Sequence, residues 1–496
     1  MDAKNDIVSA LWADFKEIRT GVDYIDSLRG RDMAVYLLGQ RILEPVDHPI
    51  IRPSMNAVAE TYELARDDEE TACAKSSIAG RSINRFLHVP ESPQDLVMKA
   101  EMQRELGRRT GTCFQRCVGM DAVGSLHSVT YDIDQACGTG YHKRFLNFLK
   151  RAQQLNLIIG GAMTDPKGDR SKAPHEQADQ DQFLHVTRRD DTGIYVTGAK
   201  MHQTGCINSH WIIFMPTMRL GEKDRAFATV GAVRADAPGM TYIYGRQSCD
   251  TRVLDGGPID AGNAGFSGQE AMIIFDNVFV PFEHVFLDGE YDFAASLVER
   301  FTAYHRASYV CKTGLGDVLT GAAATAADYN GVAGVSHIRD KLVEMTHLNE
   351  TVYAAALASA HQASEMDSGA WLSDMMLANV CKHNVTRFPY EIARLAQDIA
   401  GGLMVTMPSE KDLENEETGA LVRKFIQGRE GSDPIDRMKI LRLIENMTLG
   451  RNAVGYLTES LHGAGSPQAQ RIQIARLAQM DEKKKRAQKL AGIKIN

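Results

Sequence analysis

The spacing of hydrophobic and polar positions changes twice along the chain. Up to about residue 155 apolar side chains recur every three or four positions, which is typical of helices packed on one face. One such set predicts a helix between residues 34 and 42, on Ala34, Leu37, Leu38 and Ile42. Residues 1–155 are therefore predicted to form an N-terminal helical domain.

From about residue 156 to 290 the pattern becomes that of short strands. Strands are predicted at residues 183–188, 194–200, 211–216, 226–233, 240–244, 271–275 and 278–280. Asp190-Asp191-Thr192-Gly193 lies between the first two and is a hairpin turn signal. This part of the chain is predicted to form a compact β domain.

From about residue 291 the helical pattern returns, for example on Leu342, Met345, Leu348 and Val352. Pro389 is expected to kink or break a long helical pattern. The order of helical, β and helical parts predicts an α+β fold. Its predicted domains are residues 1–155, 156–290 and 291–496, and a chain of 496 residues is long enough for three.

Composition excludes several classes of protein. Apolar content of 44% and charged content of 24% are ordinary for a globular protein. The net charge of -8 argues against a nucleic-acid binder that works through a large basic surface. No run of 18 apolar residues predicts a membrane span, and no signal peptide is visible, so a cytoplasmic protein is expected. Eight cysteines are too few for a disulfide scaffold, so clustered ones favour metal binding or catalysis.

Two such clusters lie far apart in the chain. Cys113 and Cys117 are four residues apart, a spacing that on a helix puts both thiols on one face. His305 and Cys311 form the second group. Thiolates hold iron–sulfur clusters and zinc, and imidazole suits zinc or iron. The four residues predict one metal centre, with structural zinc and a cluster both open; the alternative is that the cysteines are only packed.

Other candidate segments are weaker when taken alone. Residues 160–170 are rich in glycine and predict a backbone cradle for a cofactor or phosphate, or simply a loop that leaves the helical domain. Residues 197–210 crowd polar side chains after a strand, where they would bond a heterocycle or one another. Gly401 and Gly402 would by themselves be a helix C-cap. Glu270 and Glu459 are isolated carboxylates of a kind that is usually solvated.

Five segments carry a resemblance to a known family: residues 113–122, 200–205, 244–252, 398–410 and 462–470. On these the chain resembles the 4-hydroxybutyryl-CoA dehydratases. They belong to the flavoprotein group that also contains the oxygenase components of 4-hydroxyphenylacetate 3-hydroxylases. The resemblance runs over nearly the whole chain. It implies an acyl-CoA-dehydrogenase-like fold with an N-terminal helical domain, a middle β domain and a C-terminal helical bundle, assembled as a homotetramer.

The resemblance also implies FAD and a [4Fe–4S] cluster as cofactors. The implied cluster ligands are Cys113, Cys117, His305 and Cys311. One departure lies between the last two. The family's segment is one residue longer and has two glycines before the cysteine, where this chain has only Val310. The loop is therefore expected to follow a slightly different path.

The flavin is implied to lie against three segments. Gly401 and Gly402 resemble a glycine pair that meets the flavin of a neighbouring subunit, which makes the flavin site depend on oligomerisation. The other implied flavin residues are Met163, Thr164, Asp165, Lys167, Gly168, Arg170, His202, Gln203 and Thr204.

The activity that the resemblance implies is radical dehydration of 4-hydroxybutyryl-CoA to crotonyl-CoA, with isomerisation of vinylacetyl-CoA as a companion activity. The substrate would be a CoA thioester. The implied catalytic residues are His305, Glu459, Glu270, Tyr309 and Lys312, with Gln115 nearby. Two alternatives remain open. A flavin-dependent monooxygenase of the same fold would leave the cysteines without a role, and a zinc-stabilised assembly protein would contain no flavin.

Overall fold

The N-terminal part of the chain combines helices with short strands. A computed structural model describes residues 3–248, 251 and 257–493. The first helices are α1 (Ala3–Ala10), α2 (Gly21–Ser27), α3 (Arg52–Asp67), α4 (Glu69–Ala72), α5 (Pro93–Thr110), α6 (Cys117–Cys137) and α7 (Tyr141–Leu155). The strands among them are β1 (Ala34–Leu37), β2 (Gln40–Ile42), β3 (Cys73–Ser76) and β4 (Arg81–Asn84).

The helix predicted between residues 34 and 42 is wrong, because this segment is the β1–β2 hairpin. Leu38 and Gly39 form its turn, with left-handed φ angles of 50° and 81°. The apolar residues at helical spacing lie on both sides of that turn. Val35 and Leu37 are buried, and their alternation with exposed or half-buried neighbours is that of a strand with one face in the core.

The middle part of the chain supplies most of the two main sheets. Its strands are β5 (Ile159–Ala162), β6 (His185–Arg189), β7 (Gly193–Thr204), β8 (Trp211–Phe214), β9 (Thr229–Arg234), β10 (Met240–Tyr244), β11 (Glu270–Pro281) and β12 (Val285–Asp288). One sheet has the order β2-β1-β10-β11-β7-β6 and the other β12-β9-β8-β5. The predicted strands are confirmed, and the last two are one bulged strand, β11. The predicted hairpin turn joins β6 to β7, where Arg189 pairs with Ile194.

The remaining chain is a helical bundle. Its helices are α8 (Ala294–Ser308), α9 (Cys311–Tyr329), α10 (Ser336–His361), α11 (Met375–Val385), α12 (Phe388–Ala400), α13 (Leu403–Thr406), α14 (Glu410–Glu414), α15 (Gly419–Ile426), α16 (Pro434–Thr448), α17 (Arg451–Ala453), α18 (Glu459–His462), α19 (Pro467–Leu477) and α20 (Met480–Leu490). A small hairpin is formed by β13 (Ser364–Glu365) and β14 (Trp371–Leu372), and a π-helical turn, Val454–Thr458, joins α17 to α18. The break expected at Pro389 is confirmed, since α12 starts there.

The position of α9 against α5 matters most for the site. Gly314 of α9 lies so close to α5 that a Cβ there would be 2.0 Å from the Arg104 carbonyl oxygen. A Cβ on Gly107 of α5 would be 2.6 Å from the Cys311 carbonyl oxygen. The two glycines therefore let the helices touch backbone to backbone beside the predicted cluster ligands.

The predicted mixture of helices and sheets is confirmed, whereas the three domain boundaries and the acyl-CoA-dehydrogenase likeness stay predictions. Strands β1 and β2 join the sheet of the middle part, so the first 155 residues are not purely helical. None of the helices described is long and apolar enough to cross a membrane.

Candidate functional site

The three predicted cysteine ligands meet where α6 and α9 begin. Cys117 is the first residue of α6, and Cys311 is the first residue of α9. Cys113 and Cys117 are half-buried and Cys311 is buried. The Cys117 thiol donates to Cys311, which raises the pKa of Cys117 and lowers that of Cys311. Burial and the nearby carboxylate of Glu459 raise the pKa of Cys113.

Cys113 approaches the other thiols from a loop, and the shared helix face expected for it and Cys117 is wrong. The loop turns at Gln115, whose φ is 65°. The Gln115 amide holds this conformation by donating to the carbonyl oxygens of Ser54 at 2.9 Å and Ser267 at 3.0 Å. Gln115 therefore stabilises the loop that carries Cys113.

His305 lies in the last turn of α8 and is fixed on one side. Its Nδ1 is 2.7 Å from Oδ2 of Asp121, so the other nitrogen, Nε2, is the one left for a metal. The ring is stacked on Phe301 and meets the edge of Tyr309. Metal-binding histidines usually donate their second ring N–H to a carboxylate in this way.

A polar layer of Lys99, Gln103, Asp121 and Ser308 lies behind the thiols. It was not predicted from the sequence. Asp121 has no solvent exposure and also accepts from Lys99 Nζ at 2.5 Å and Ser308 Oγ at 3.0 Å. Gln103 Nε2 donates to the Cys117 sulfur at 3.2 Å. Asp121 lies one helical turn after Cys117, and that spacing was the available signal.

The predicted carboxylates lie beside the thiols. Glu459 Oε2 accepts from Lys312 Nζ at 2.7 Å, and Glu459 Oε1 is 3.7 Å from the Cys113 sulfur. Burial alone would lower the pKa of Lys312, but Glu459 raises it above its ordinary value. Burial first, and then the charge of Glu459, raises the pKa of Glu270 well above that of an exposed glutamate.

Tyr309 lies between two buried lysines. Lys312 Nζ is 5.5 Å and Lys382 Nζ 4.4 Å from the centre of its ring. Its hydroxyl rests against Gly463, where a Cβ would be 1.5 Å away. Burial raises the pKa of Tyr309 well above its usual range, so the phenol keeps its proton.

A single metal ion and a cluster require different arrangements of the donor atoms. Within the described residues, no three His, Cys, Asp or Glu side chains converge as they would around a single ion. A [4Fe–4S] cluster is held differently, because each ligand binds a different iron and the donors surround a volume. Three adjacent thiols and an imidazole whose Nδ1 is anchored have the chemistry that such a cluster needs.

The turn after β5, predicted to contact the flavin, is held against β7 by buried polar contacts. Lys200 is 1% exposed, and its Nζ lies 2.6 Å from Asp165 Oδ1 and 3.0 Å from the Met163 carbonyl oxygen. Gln203 accepts from the Met163 N–H at 3.1 Å and donates to the Thr164 carbonyl at 3.3 Å. Lys200, Asp165 and Gln203 therefore set the shape of the turn.

Thr204 joins the predicted flavin segment to the carboxylates, because its hydroxyl donates to Glu270 Oε1 at 2.6 Å. The remaining predicted flavin residues are exposed: Lys167, Gly168, Arg170, His202, Gly401 and Gly402. Of the segment 244–252, residues 249, 250 and 252 lie outside the described residues.

Comparison with known proteins places the chain in a family. Residues 20–287 match the family model "4-hydroxyphenylacetate 3-hydroxylase N terminal" and residues 294–492 the corresponding C-terminal model. The 4-hydroxybutyryl-CoA dehydratase/vinylacetyl-CoA-Delta-isomerase of Clostridium aminobutyricum is 53% identical over 96% of this chain and 100% of its own.

Solved structures of related proteins share the fold of this chain. An oxygen-tolerant archaeal 4-hydroxybutyryl-CoA dehydratase from N. maritimus is 68% identical, with a TM-score of 0.95 over 97% of this chain and 96% of its own. The oxygenase component of 4-hydroxyphenylacetate 3-monooxygenase complexed with FAD is 20% identical, with a TM-score of 0.84 over 95% of this chain and 98% of its own. At that identity the likeness shows the shared fold alone.

Proposed function

We propose, from the premise that this chain belongs to the 4-hydroxyphenylacetate 3-hydroxylase family, that it is a 4-hydroxybutyryl-CoA dehydratase. It would convert 4-hydroxybutyryl-CoA to crotonyl-CoA and water, and isomerise vinylacetyl-CoA. The observation that carries the proposal is the meeting of Cys113, Cys117 and Cys311 beside the Lys312–Glu459 pair, with His305 anchored to Asp121 one turn after Cys117. The 53% identity to a dehydratase over nearly the whole chain supports it.

The reaction is difficult because the thioester acidifies the proton on C2 but not the one on C3, and the C4 hydroxyl is a poor leaving group. Bound FAD would supply one-electron chemistry, and a [4Fe–4S] cluster held by Cys113, Cys117, His305 and Cys311 would supply a Lewis-acidic iron. The protein itself must hold the thioester, exclude water and handle two protons.

The side chains present suit that proton handling. Burial and the charge of Glu459 raise the pKa of Glu270, which favours its protonated form. Because Oε1 accepts from Thr204, the proton belongs on Oε2. Glu459, paired with Lys312, is one proposed proton acceptor. Nε2 of His305 is the other, and it would accept a proton only while it does not bind iron. Tyr309 keeps its phenol proton and, with Lys312, is proposed to orient the substrate.

The flavin is proposed to lie along the turn after β5 and the end of β7, with Thr204 beside its ring system. The shared fold of an FAD-complexed structure supports this position. Gly401 and Gly402 are proposed to meet the flavin of a neighbouring subunit in a homotetramer. The acyl-CoA-dehydrogenase likeness and a cytoplasmic location also remain predictions.

A flavin-dependent monooxygenase of the same fold is the alternative. It would use the flavin segments but would give no role to Cys113, Cys117 and Cys311. A structural zinc site is less consistent with the arrangement, since four zinc donors converge on one ion.

The test is anaerobic purification followed by quantitation of iron, acid-labile sulfide and flavin, with a crotonyl-CoA assay on the same sample. We expect about four irons and one FAD per chain, and dehydratase activity. Cys113→Ala should lose both cluster and activity. Cys137→Ala, which changes an exposed cysteine, should keep both. Flavin without iron in the unaltered protein, or full activity in Cys113→Ala, would contradict the proposal.

A further inference from the structure

The polar layer behind the thiols is built from matched positions on two helices. Lys99 and Gln103 are one turn apart on α5, and Cys117 and Asp121 are one turn apart on α6. Lys99 contacts Asp121, and Gln103 contacts the Cys117 sulfur. The two helices therefore present pairs of polar groups in the same register.

Asp121 is a costly residue to bury. It has no solvent exposure, and a carboxylate in the interior requires a counter-charge and hydrogen-bond donors. Lys99, Ser308 and His305 supply all of these. Lys99 is also buried, and its amine is paired with Asp121. Lys99 and Ser308 both contact Oδ1 of Asp121, and the second carboxylate oxygen, Oδ2, is the one that contacts His305.

We propose that Asp121 is the positioning residue of His305. The carboxylate accepts Nδ1–H, which fixes the tautomer with its lone pair on Nε2 and prevents the ring from turning over. Phe301 and Tyr309 then hold the plane of the ring. This role rests on the proposed function, in which Nε2 is the fourth cluster ligand.

Two double variants test the role without leaving a buried charge unpaired. Lys99→Met with Asp121→Leu removes the acceptor for Nδ1–H. Lys99→Met with Asp121→Asn removes the same charges but keeps an amide oxygen that accepts it. A difference between the two variants therefore reports the hydrogen bond to His305 and not the loss of the ion pair.

The readout is the imidazole nitrogen coupling to the reduced cluster in the anaerobically purified holoenzyme, measured by electron–nuclear double resonance. The second readout is the rate of iron release to a ferrous chelator. We expect the leucine variant to lose the single nitrogen coupling and to release iron about tenfold faster. The asparagine variant should keep the coupling.

Asp224→Asn is the matched control, because Asp224 makes the same kind of contact, 2.6 Å from His175 Nδ1, in another part of the chain. It should leave the coupling unchanged. Unchanged coupling and iron release in the leucine variant would overturn the inference while the proposed function stood. Unaltered protein without iron would instead overturn the proposed function.

Discussion

Among single residues, His284 shows how strongly burial controls protonation in this protein. It is 2% exposed, packs against the rings of Trp211 and Phe148, and accepts a hydrogen bond from Trp12 Nε1 at 3.3 Å. Burial lowers its pKa to about 3, from an ordinary value of 6.5. Between about pH 6.5 and 3 the folded protein therefore holds a neutral imidazole where an unfolded chain binds a proton.

A loss of stability in acid follows from this difference. Between about pH 6.5 and 3 the unfolded chain binds one more proton at His284, so the free energy of unfolding falls as the pH falls. His284→Gln keeps an acceptor for Trp12 but cannot titrate. From pH 6.5 to 4.5 the variant should lose about 2 kcal/mol less than the unaltered protein, at about 1.4 kcal/mol per pH unit.

Urea unfolding across this pH range measures the effect. His337→Gln, at an exposed position, is the control and should follow the unaltered protein. Parallel pH profiles for His284→Gln and the unaltered protein would contradict the assignment.

The predicted ligands can be recognised from the sequence, whereas the polar layer behind them cannot. Cys113, Cys117 and Cys311 bear a rare functional group, and the resemblance assigned them. Asp121 and Lys99 are common residues, 22 positions apart in sequence, and their contact depends on how the fold places α5 and α6. No local pattern encodes that contact. Residues that act through others therefore needed the tertiary structure.

At the scale of secondary-structure elements, the contact between α5 and α9 determines where the site residues of α9 lie. Cys311 and Lys312 are in its first turn, and Gly314 touches the α5 backbone one residue beyond that turn. A side chain at Gly314 would push the helices apart and carry both site residues with it.

Gly314→Ala tests this coupling. The added methyl would lie 2.0 Å from the Arg104 carbonyl oxygen, so overpacking should cost about 1–3 kcal/mol. A displacement of about 1 Å at Lys312 would lower the rate of crotonyl-CoA formation by about 100-fold. Iron content, the urea midpoint and the initial rate are the measurements.

Gly321→Ala on the same helix is its control, since a Cβ there has no heavy atom within 4 Å. It should keep iron and activity and gain about 0.5–1 kcal/mol of stability. If the two variants behave alike, the close approach of the helices is not what positions the site.

The elements themselves were predictable where their pattern is local. The strands from β6 to β11 carry short apolar or alternating patterns between turn signals, and their predicted positions are confirmed. The prediction for β1 failed because the strand that it pairs with, β10, lies about 200 residues away, with Ala34 opposite Thr241. A four-residue strand beside a tight turn resembles a helix when only the spacing of apolar residues is counted.

For the whole molecule, the surface beside Gly401 and Gly402 bears on assembly. Both glycines are exposed, and Gly401 has a φ of 76° that favours glycine. Val405, one turn of α13 further on, is 88% exposed and follows the half-buried Leu403 and Met404. A subunit interface that covers a flat cofactor would need apolar side chains beside backbone without side chains, as at these two glycines.

Val405→Asp should therefore weaken the proposed homotetramer and release flavin, because a carboxylate would be buried at the interface. Analytical ultracentrifugation and flavin absorbance per chain measure both effects on the same sample. Val343→Asp is the control, since Val343 is 68% exposed on α10, where Asp340 and His347 are its neighbours on the helix face. We expect at least a tenfold loss of bound flavin at low protein concentration for Val405→Asp alone, recovered as concentration rises. A variant that stayed tetrameric but lost flavin would instead indicate that Val405 acts on the cofactor within its own subunit. A variant with unchanged assembly and flavin content would remove this surface from the proposed interface.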